Sequence, residues 1–226
     1  MADIGSRRSP NFDERPNDAP IDMLVLHYTG MPTAADALAR LCDPAAKVSA
    51  HYVIDEDGRV IALVDETKRA WHAGVSSWRG ESNVNGRSIG VELVNPGHEF
   101  GYRDFPDAQM TALEELAAAI LARHPIPARN VVGHADVAPS RKADPGERFD
   151  WRRLAAKGIG LWPVGASAVD ADAEAVRDML AGYGYDTADA TAAITAFQRH
   201  FRPSRFDGVA DAETAGRLIA LLQHCR

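Results

Sequence analysis

The chain has 226 residues, of which 46% are hydrophobic and 25% charged, and its formal net charge is −7. This length suits one large domain, or a medium domain and a small one, with enough apolar side chains to bury a core. The negative charge argues against a protein that wraps nucleic acid, and no apolar run reaches the length of a transmembrane segment.

The first twenty residues are polar and contain three prolines, Pro10, Pro16 and Pro20, so they predict an extended N-terminal arm over residues 1–20. We find neither an apolar signal segment nor a lipobox cysteine near the start. The two cysteines, Cys42 and Cys225, lie far apart, which is typical of a reduced protein. We therefore expect a cytoplasmic protein; a periplasmic location is the alternative if a leader is missing.

Alternating hydrophobicity and helical spacing predict the elements of the larger part of the chain. Apolar and β-branched runs predict strands at 21–28, 50–54, 60–64, 88–94 and 131–132. The second and third of these flank an Asp-Gly turn and predict a hairpin. Apolar spacing predicts helices at 33–41, 106–123 and 151–157. Thr33 is the expected N-cap of the first.

The remainder of the chain changes character at residues 163–167, where the sequence Pro-Val-Gly-Ala-Ser is typical of a linker. Three helical segments follow, at 170–181, 188–201 and 211–222. We therefore expect a main domain over residues 21–163, a linker over 164–169 and a small helical domain over 170–226.

Two histidines and an aspartate form a candidate metal site. His27 follows a short apolar strand, and the run from Gly133 to Gly146 begins with His134 and contains Asp144 near its end. Two imidazoles and one carboxylate would leave zinc an open position for water, as in catalytic sites. The alternative is that both histidines are ordinary core or surface residues. Asp136 competes with Asp144 as the third ligand.

Two further residues could take part in catalysis beside such an ion. Glu92 interrupts an apolar strand and could move a proton, because alternation gives it no polar neighbour on its own face. Lys142, two residues before Asp144, could stabilise negative charge on a carbonyl oxygen. An ordinary solvated lysine is an equally good interpretation of that residue.

Substrate contacts are expected from aromatic and polar residues in the loops. Trp71 and His72 lie in a stretch with little regular structure, where aromatic rings can stack on sugars, although tryptophans are also common core residues. His51 could contact substrate, compete as a metal ligand or be a core histidine. Asn95 is a further substrate-binding candidate.

Six segments in a fixed order resemble the zinc-dependent N-acetylmuramoyl-L-alanine amidases of the AmpD/AmiD type. That superfamily includes phage amidase lysozymes and animal peptidoglycan-recognition proteins. The similarity extends over most of residues 9–163. The matching segments are 9–16 (SPNFDERP), 26–29 (LHYT), 49–52 (SAHY), 70–74 (AWHAG), 88–93 (SIGVEL) and 133–146.

The resemblance implies an α/β fold, with a mixed, mainly parallel central sheet flanked by helices. It implies one Zn²⁺ per chain on His27, His134 and Asp144, with Glu92 as catalytic acid/base and Lys142 stabilising the tetrahedral intermediate. The reaction would be hydrolysis of the amide between N-acetylmuramic acid and L-alanine. Peptidoglycan fragments or muropeptides, including 1,6-anhydro forms, would be the substrates. Some relatives have a tyrosine where this chain has Ala50, which puts more weight on Glu92.

The C-terminal segment resembles a small three-helix peptidoglycan-binding domain, and we expect the whole protein to be a monomer. The similarity rests on 182–185 (GYGY), 196–198 (AFQ) and 207–214 (DGVADAET). A non-catalytic peptidoglycan-recognition protein is the alternative function. Proteins of that kind have lost a metal ligand, whereas this chain keeps all three candidates. A zinc hydrolase acting on another amide is a third possibility.

Overall fold

A six-stranded sheet forms the centre of the computed structural model, which describes residues 4–16 and 20–225. Four of its five strand pairs are parallel, and only β4 and β5 run antiparallel, as the hairpin pattern predicts. The mixed, mainly parallel α/β fold is thereby confirmed. In spatial order the strands are β1 (Ile4–Ser6), β5 (Val60–Ala62), β4 (Tyr52–Ile54), β9 (Ser88–Leu93), β3 (Met23–Tyr28) and β10 (Val131–Gly133).

Two short antiparallel ribbons lie beside this sheet, and one of them involves the N-terminal segment. Strand β2 (Phe12–Glu14) pairs with β6 (Lys68–Ala70), and β7 (Ser77–Trp78) pairs with β8 (Glu81–Ser82). Together with β1, strand β2 joins the segment expected as an extended arm to the body of the protein. Residues 1–3 and 17–19 of that segment lie outside the described residues.

Nine helices and one 3-10 turn (Ala128–Asn130) lie in the described part of the chain. The predicted helices are confirmed, and Thr33 caps the first by accepting a hydrogen bond from the Asp36 amide. The helices are α1 (Ala34–Leu41), α2 (Val84–Arg87), α3 (Gly97–Phe100), α4 (Asp107–Arg123), α5 (His134–Val137), α6 (Trp151–Ala156), α7 (Ala173–Tyr183), α8 (Ala190–Phe201) and α9 (Ala212–Gln223). In residues 4–16 and 20–225 none is both long and apolar enough to span a bilayer.

The central strands bury apolar side chains on both faces of the sheet. Successive side chains along a strand point to opposite faces, so position in the strand determines the face on which a polar residue lies. Leu24 and Leu26 of β3 pack in one core cluster with α4, whereas Met23 and Val25 belong to a second cluster on the opposite face. Because side chains alternate along a strand, His27 lies on the same face as Met23 and Val25. The second cluster therefore lies under the candidate metal site.

The C-terminal helices share this second cluster with the sheet. Val176, Phe197 and Leu218 are buried in the same cluster as Trp78 and Val132. The ring of Trp78 also contacts that of Tyr185, with centroids 5.2 Å apart. The helical region that follows the linker is therefore packed against the main part of the protein through a continuous apolar core.

Candidate metal centre and active-site cleft

Three ligand atoms from separate elements meet at one edge of the sheet. His27 is the fifth residue of β3, and His134 begins α5 directly after β10, the parallel neighbour of β3. His27 Nδ1 lies 3.0 Å from His134 Nδ1 and 3.0 Å from Asp144 Oδ2, and His134 Nδ1 lies 3.1 Å from the same oxygen. The two histidines and the aspartate predicted from the sequence therefore come together in space.

Backbone contacts hold Asp144 beside the two strands. The amide of Ala135 donates a hydrogen bond of 2.9 Å to the Asp144 carbonyl. The Tyr102 hydroxyl donates to the carbonyl of Pro145 at 2.7 Å. A Cβ at Gly133 would lie 2.6 Å from Pro145 Cδ, so glycine allows the loop to approach β10 this closely. The chain between His134 and Asp144 thus folds back tightly, so that the two side chains lie close together.

The chemistry of the three atoms fits a small divalent cation. The Nε2 of His134 lies 3.0 Å from the carbonyl oxygen of Ala73, which can only accept, so the proton is on Nε2 and Nδ1 carries a lone pair. That lone pair faces a carboxylate oxygen and a second imidazole. Ligands about 2.0–2.1 Å from a tetrahedral zinc lie roughly 3.3 Å apart, close to the spacing here. The site can therefore hold a metal ion.

Burial prepares His27 for metal binding. The side chain is 1% exposed, and its burial, reinforced by the neighbouring His134, lowers the pKa of His27 to about 4. A metal-binding histidine must be a neutral imidazole, and a histidine with so low a pKa is already neutral at pH 7, so no imidazolium proton has to leave before a metal binds. His27 is thus in its metal-binding form at neutral pH.

Glu92 lies directly opposite His27 in the parallel pair of β3 and β9. Residues in register on neighbouring strands project from the same face, so both side chains reach the same edge. Burial, followed by the charge of Asp144, raises the pKa of Glu92 well above its ordinary value. Its Oε2 is buried and has no hydrogen-bond partner among the described residues. Such a carboxyl group is suited to exchanging a proton with a bound ligand.

A cleft of about 640 Å³ opens over these groups. His134, Asp144, Glu92 and Lys142 line it, together with Trp71, and Lys142 is exposed to solvent. A cleft of this volume lies in the size range of small-molecule sites. The predicted catalytic residues therefore surround one accessible space.

His51 and Asn95 lie outside the lining of this cleft, although the sequence made both candidates for substrate binding. His51 is fully buried; its Nδ1 accepts from the Gly90 amide at 2.9 Å, and its Nε2 donates to the Lys68 carbonyl at 3.1 Å. The Asn95 amide group donates to the Arg103 carbonyl at 2.8 Å and accepts from the Gly97 amide at 3.0 Å. We therefore propose structural roles for both.

Asp136, the rival third ligand, is occupied elsewhere. Its Oδ2 accepts hydrogen bonds from the Gly133 amide and from His200 Nδ1, both at 2.7 Å. Its Oδ1 accepts from the Tyr185 hydroxyl. Asp144, and not Asp136, supplies the carboxylate of the candidate metal site.

Several cleft residues were not predicted from the sequence. Arg141 lines the cleft and donates to the carbonyl oxygens of Ala73 and Val75, each at 3.1 Å. Arg40 and Phe100 also line it. Each is an ordinary helix or loop residue in the sequence, and only the folded loops bring them to the site, so no local pattern could identify them.

A protein-family model described as N-acetylmuramoyl-L-alanine amidase matches residues 17–147. This range contains all three residues of the candidate metal site as well as Glu92 and Lys142. The chain belongs to this amidase family. The resemblance to AmpD/AmiD-type amidases noted in the sequence is confirmed by this match together with the identity to AmiD and AmpD proteins.

Similar proteins within the family extend over most of the chain. AmiD of Escherichia coli (strain K12) is 40% identical over 231 residues, covering 90% of this chain and 83% of AmiD. A 1,6-anhydro-N-acetylmuramyl-L-alanine amidase AmpD from Haemophilus influenzae is 37% identical, covering 68% of this chain and 91% of AmpD. The AmpD match is thus confined to a smaller part of the chain.

Solved structures of two family members resemble the whole molecule. The E. coli AmiD complex with anhydro-N-acetylmuramic acid-L-Ala-D-gamma-Glu-L-Lys has a TM-score of 0.83 at 37% identity, covering 95% of this chain and 98% of that one. AmpDh3 from Pseudomonas aeruginosa, in complex with anhydromuramic pentapeptide, has a TM-score of 0.78 at 34% identity, covering 97% and 98%. The C-terminal helices therefore belong to an arrangement found in family members.

Proposed function

We propose that this protein is a zinc-dependent amidase that cleaves the bond between N-acetylmuramic acid and L-alanine in peptidoglycan fragments, including 1,6-anhydro-muropeptides. One observation carries the proposal: the Nδ1 atoms of His27 and His134 and the Oδ2 of Asp144 lie 3.0–3.1 Å apart at a cleft lined by Glu92. The AmiD and AmpDh3 complexes contain anhydromuramyl peptides, which supports the substrate class.

His27, His134 and Asp144 would hold the ion, and three ligands leave a fourth position open. Zn²⁺ there would activate water and polarise the scissile carbonyl. A structural zinc site would need a fourth protein ligand, and the group in the described residues has three members. This donor set therefore favours catalysis over a purely structural role.

Glu92 would act as the proton carrier of the reaction. It accepts a proton from the attacking water, whose oxygen bonds to the lactyl carbonyl carbon. It then delivers that proton to the nitrogen of L-alanine as the C–N bond breaks. The second hydrogen of the water stays on the new carboxyl group and is then released to the amine or to solvent, so the products are a lactyl carboxylate and a peptide with a free amino group. The raised pKa of Glu92, caused first by burial, suits a group that must hold the proton between these steps.

Lys142 would stabilise the tetrahedral intermediate. Its ammonium lines the same cleft as Glu92 and Asp144, where negative charge develops on the carbonyl oxygen during attack. Trp71 also lines the cleft and would offer its ring to the sugar. These two residues would orient the substrate amide over the ion.

Turnover of a purified anhydro-muropeptide tests this function. We expect mass spectrometry to detect release of the L-Ala-containing peptide, loss of activity on chelation, and recovery when Zn²⁺ is restored. Binding without release would favour a recognition protein. Zinc-dependent activity on other amides alone would make the protein a different hydrolase. Parallel digestion of intact sacculi would show whether the protein cleaves intact peptidoglycan or soluble muropeptides faster.

We also propose that the helices over 170–226 contribute a second peptidoglycan contact, following their resemblance to a binding domain. Because these helices share a core with the main domain, the test uses the full chain. We expect Glu92→Ala protein to sediment with insoluble peptidoglycan even when soluble muropeptide saturates the cleft. Complete release by the soluble fragment would limit binding to the cleft.

For the cellular context we propose a cytoplasmic monomer that recycles imported fragments. Cys42 and Cys225 are both free thiols, which suits a reducing compartment. Cell fractionation tests the compartment, and light scattering coupled to size exclusion tests the mass of the particle. A periplasmic signal or a doubled mass would contradict the respective part.

A further inference from the structure

Two adjacent residues support the outer nitrogens of both histidines at the metal site. His27 Nε2 lies 3.0 Å from His72 Nδ1, and His134 Nε2 lies 3.0 Å from the carbonyl oxygen of Ala73. His27 and His134 are 107 positions apart in the chain. Their two outer contacts nevertheless come from a single dipeptide, which belongs to the Ala-Trp-His-Ala-Gly motif.

The proton positions along this chain of contacts follow from the group at its far end. The Ser88 hydroxyl lies 2.7 Å from the Val84 carbonyl, which can only accept, so its one proton points there. The Ser88 oxygen, 3.1 Å from His72 Nε2, therefore accepts the Nε2–H of His72. A neutral imidazole carries one N–H, so His72 Nδ1 is an acceptor and receives the Nε2–H of His27.

Both histidines are thus fixed in the same tautomer by different acceptors. His27 donates Nε2–H to a ring nitrogen, and His134 donates Nε2–H to a carbonyl oxygen. Each then directs an Nδ1 lone pair toward Asp144 Oδ2, and these three electron-rich atoms have no proton between them. Only a cation satisfies this arrangement, and outer partners of this kind orient metal ligands.

We propose that the His72–Ala73 dipeptide is the outer support of the metal centre, and that His72 is a positioning residue and not a substrate-binding one. This inference rests on the zinc site proposed above and extends it. Both ring nitrogens of His72 are engaged within the protein, and the residue is 8% exposed although it lines the cleft. It therefore has no free polar atom for a substrate.

The surrounding residues hold this dipeptide in place. The Asn85 side-chain oxygen accepts from the amides of His72 (3.2 Å) and Ala73 (2.8 Å). Arg141 donates a second hydrogen bond to the Ala73 carbonyl. A Cβ at Gly90 would lie 2.4 Å from His72 Cγ, so a glycine in β9 provides the space for the ring. The support is therefore built from helix α2, strand β9 and the loop.

Zinc affinity of the full-length protein tests the proposal, measured by competition with a chromophoric chelator. His72→Phe removes the acceptor for His27 and fills the space, and we expect Zn²⁺ to bind about 10- to 100-fold more weakly. His72→Asn places a carbonyl oxygen near the position of Nδ1, and we expect it to regain most of that loss. Ser88→Ala leaves the His72 tautomer undetermined, and we expect an intermediate affinity.

A matched control separates metal support from folding. His51 is also a buried histidine and packs edge-on against His72, but its nitrogens contact Gly90 and Lys68. We expect His51→Asn to lower the melting temperature of the metal-free protein while its Zn²⁺ affinity stays at the unmodified value. Melting of every variant in chelator shows how much folding each one has lost.

The outcomes distinguish this inference from the function on which it rests. If the unmodified protein takes up no Zn²⁺, the proposed metal centre fails. If the unmodified protein binds one Zn²⁺ ion and both His72→Phe and Ser88→Ala bind Zn²⁺ as tightly as it does, only the proposed outer support is refuted. Equal losses for His72→Phe and His72→Asn would also refute it, because ring packing would then matter and not the acceptor. If His72→Phe does not fold, the Zn²⁺ affinity of Ser88→Ala decides whether the outer support exists.

Discussion

The hydroxyl of Tyr185 donates a hydrogen bond of 2.6 Å to Oδ1 of Asp136, two residues after His134. The other oxygen of the same carboxylate binds the Gly133 amide and His200. Tyr185 and His200 both belong to the C-terminal helical region, whereas Gly133 and His134 form the end of β10 and the start of α5. The segment that carries the candidate metal ligand His134 is therefore fixed to the C-terminal helices through one buried carboxylate.

Tyr185→Phe tests the strength of this attachment. Removing the hydroxyl deprives a buried carboxylate of one donor, and we expect the free energy of unfolding to fall by about 1–3 kcal/mol. Denaturant titration measures the change. Tyr183→Phe is the matched control, because Tyr183 is buried in the same cluster but its hydroxyl is not bonded to Asp136. An equal loss in both variants would assign the effect to general packing.

Glu92→Gln should abolish most turnover and leave the metal site intact. Glutamine keeps the size of the side chain but cannot carry the proton, and we expect kcat/KM to fall about 10²- to 10⁴-fold. Steady-state assays with an anhydro-muropeptide measure the activity, and chelator competition measures Zn²⁺ binding. A variant that turns over normally would remove Glu92 from the mechanism.

Glu66 should make stability depend on pH in the acidic range. Burial opposes its ionisation, but hydrogen bonds from Arg123, His124 and Tyr52 outweigh this and lower the pKa of Glu66 to about 2. Because the folded pKa lies below the unfolded value near 4.5, the stabilisation is complete above about pH 4.5 and is lost as pH falls toward 2.

Glu66→Gln should therefore be less stable than the unmodified protein at pH 7, and the difference should shrink as the pH falls from 4.5 to 2. Denaturant titrations at several pH values measure it. Glu115→Gln, on the exposed side of α4, is the control and should change stability little at any of these values. A gap between Glu66→Gln and the unmodified protein that stays constant with pH would contradict the assignment.

Gly90→Ala should destabilise the fold because the new methyl group would overlap the ring of His72. Overpacking of a buried site costs about 1–3 kcal/mol, which thermal and denaturant unfolding can detect. Gly182→Ala in α7 is the opposite case: its Cβ meets no atom within 4 Å, and alanine favours helix. We expect that control to keep or raise the melting temperature; equal behaviour of the two would contradict the steric argument.

The central strands could be predicted because short apolar runs mark them. The three residues of the candidate metal site could be proposed because they lie in segments that resemble a known family, whereas residue types alone left Asp136 as a rival of Asp144. A continuous apolar run identifies β3, and in β9 the alternation of side chains separates Glu92 from the core side chains of its own strand. The role that we propose for His72 could not be predicted, because it depends on contacts with Ser88 and His27 made by an irregular loop. Nothing periodic marks such a loop, so the sequence left its histidine as a candidate for substrate binding.

The packing of the C-terminal helices against the sheet could not be predicted, for a different reason. Their apolar stripes predict helices correctly, but they do not reveal which surface the stripes cover. Likewise, the polar N-terminal segment contains no alternation that would predict β1 or β2. In both cases the partner lies far away in the sequence, and the pairing is decided by tertiary packing.

The continuous interior beneath Trp78 limits how this protein can evolve. A wall-binding module joined only by a flexible tether can be exchanged between enzymes by recombination at the tether. Here the last helices complete the interior beneath the candidate metal site, so an unrelated replacement would leave that interior open. We therefore expect substitutions at this shared interior, in the main domain and in the C-terminal helices, to be correlated in evolution.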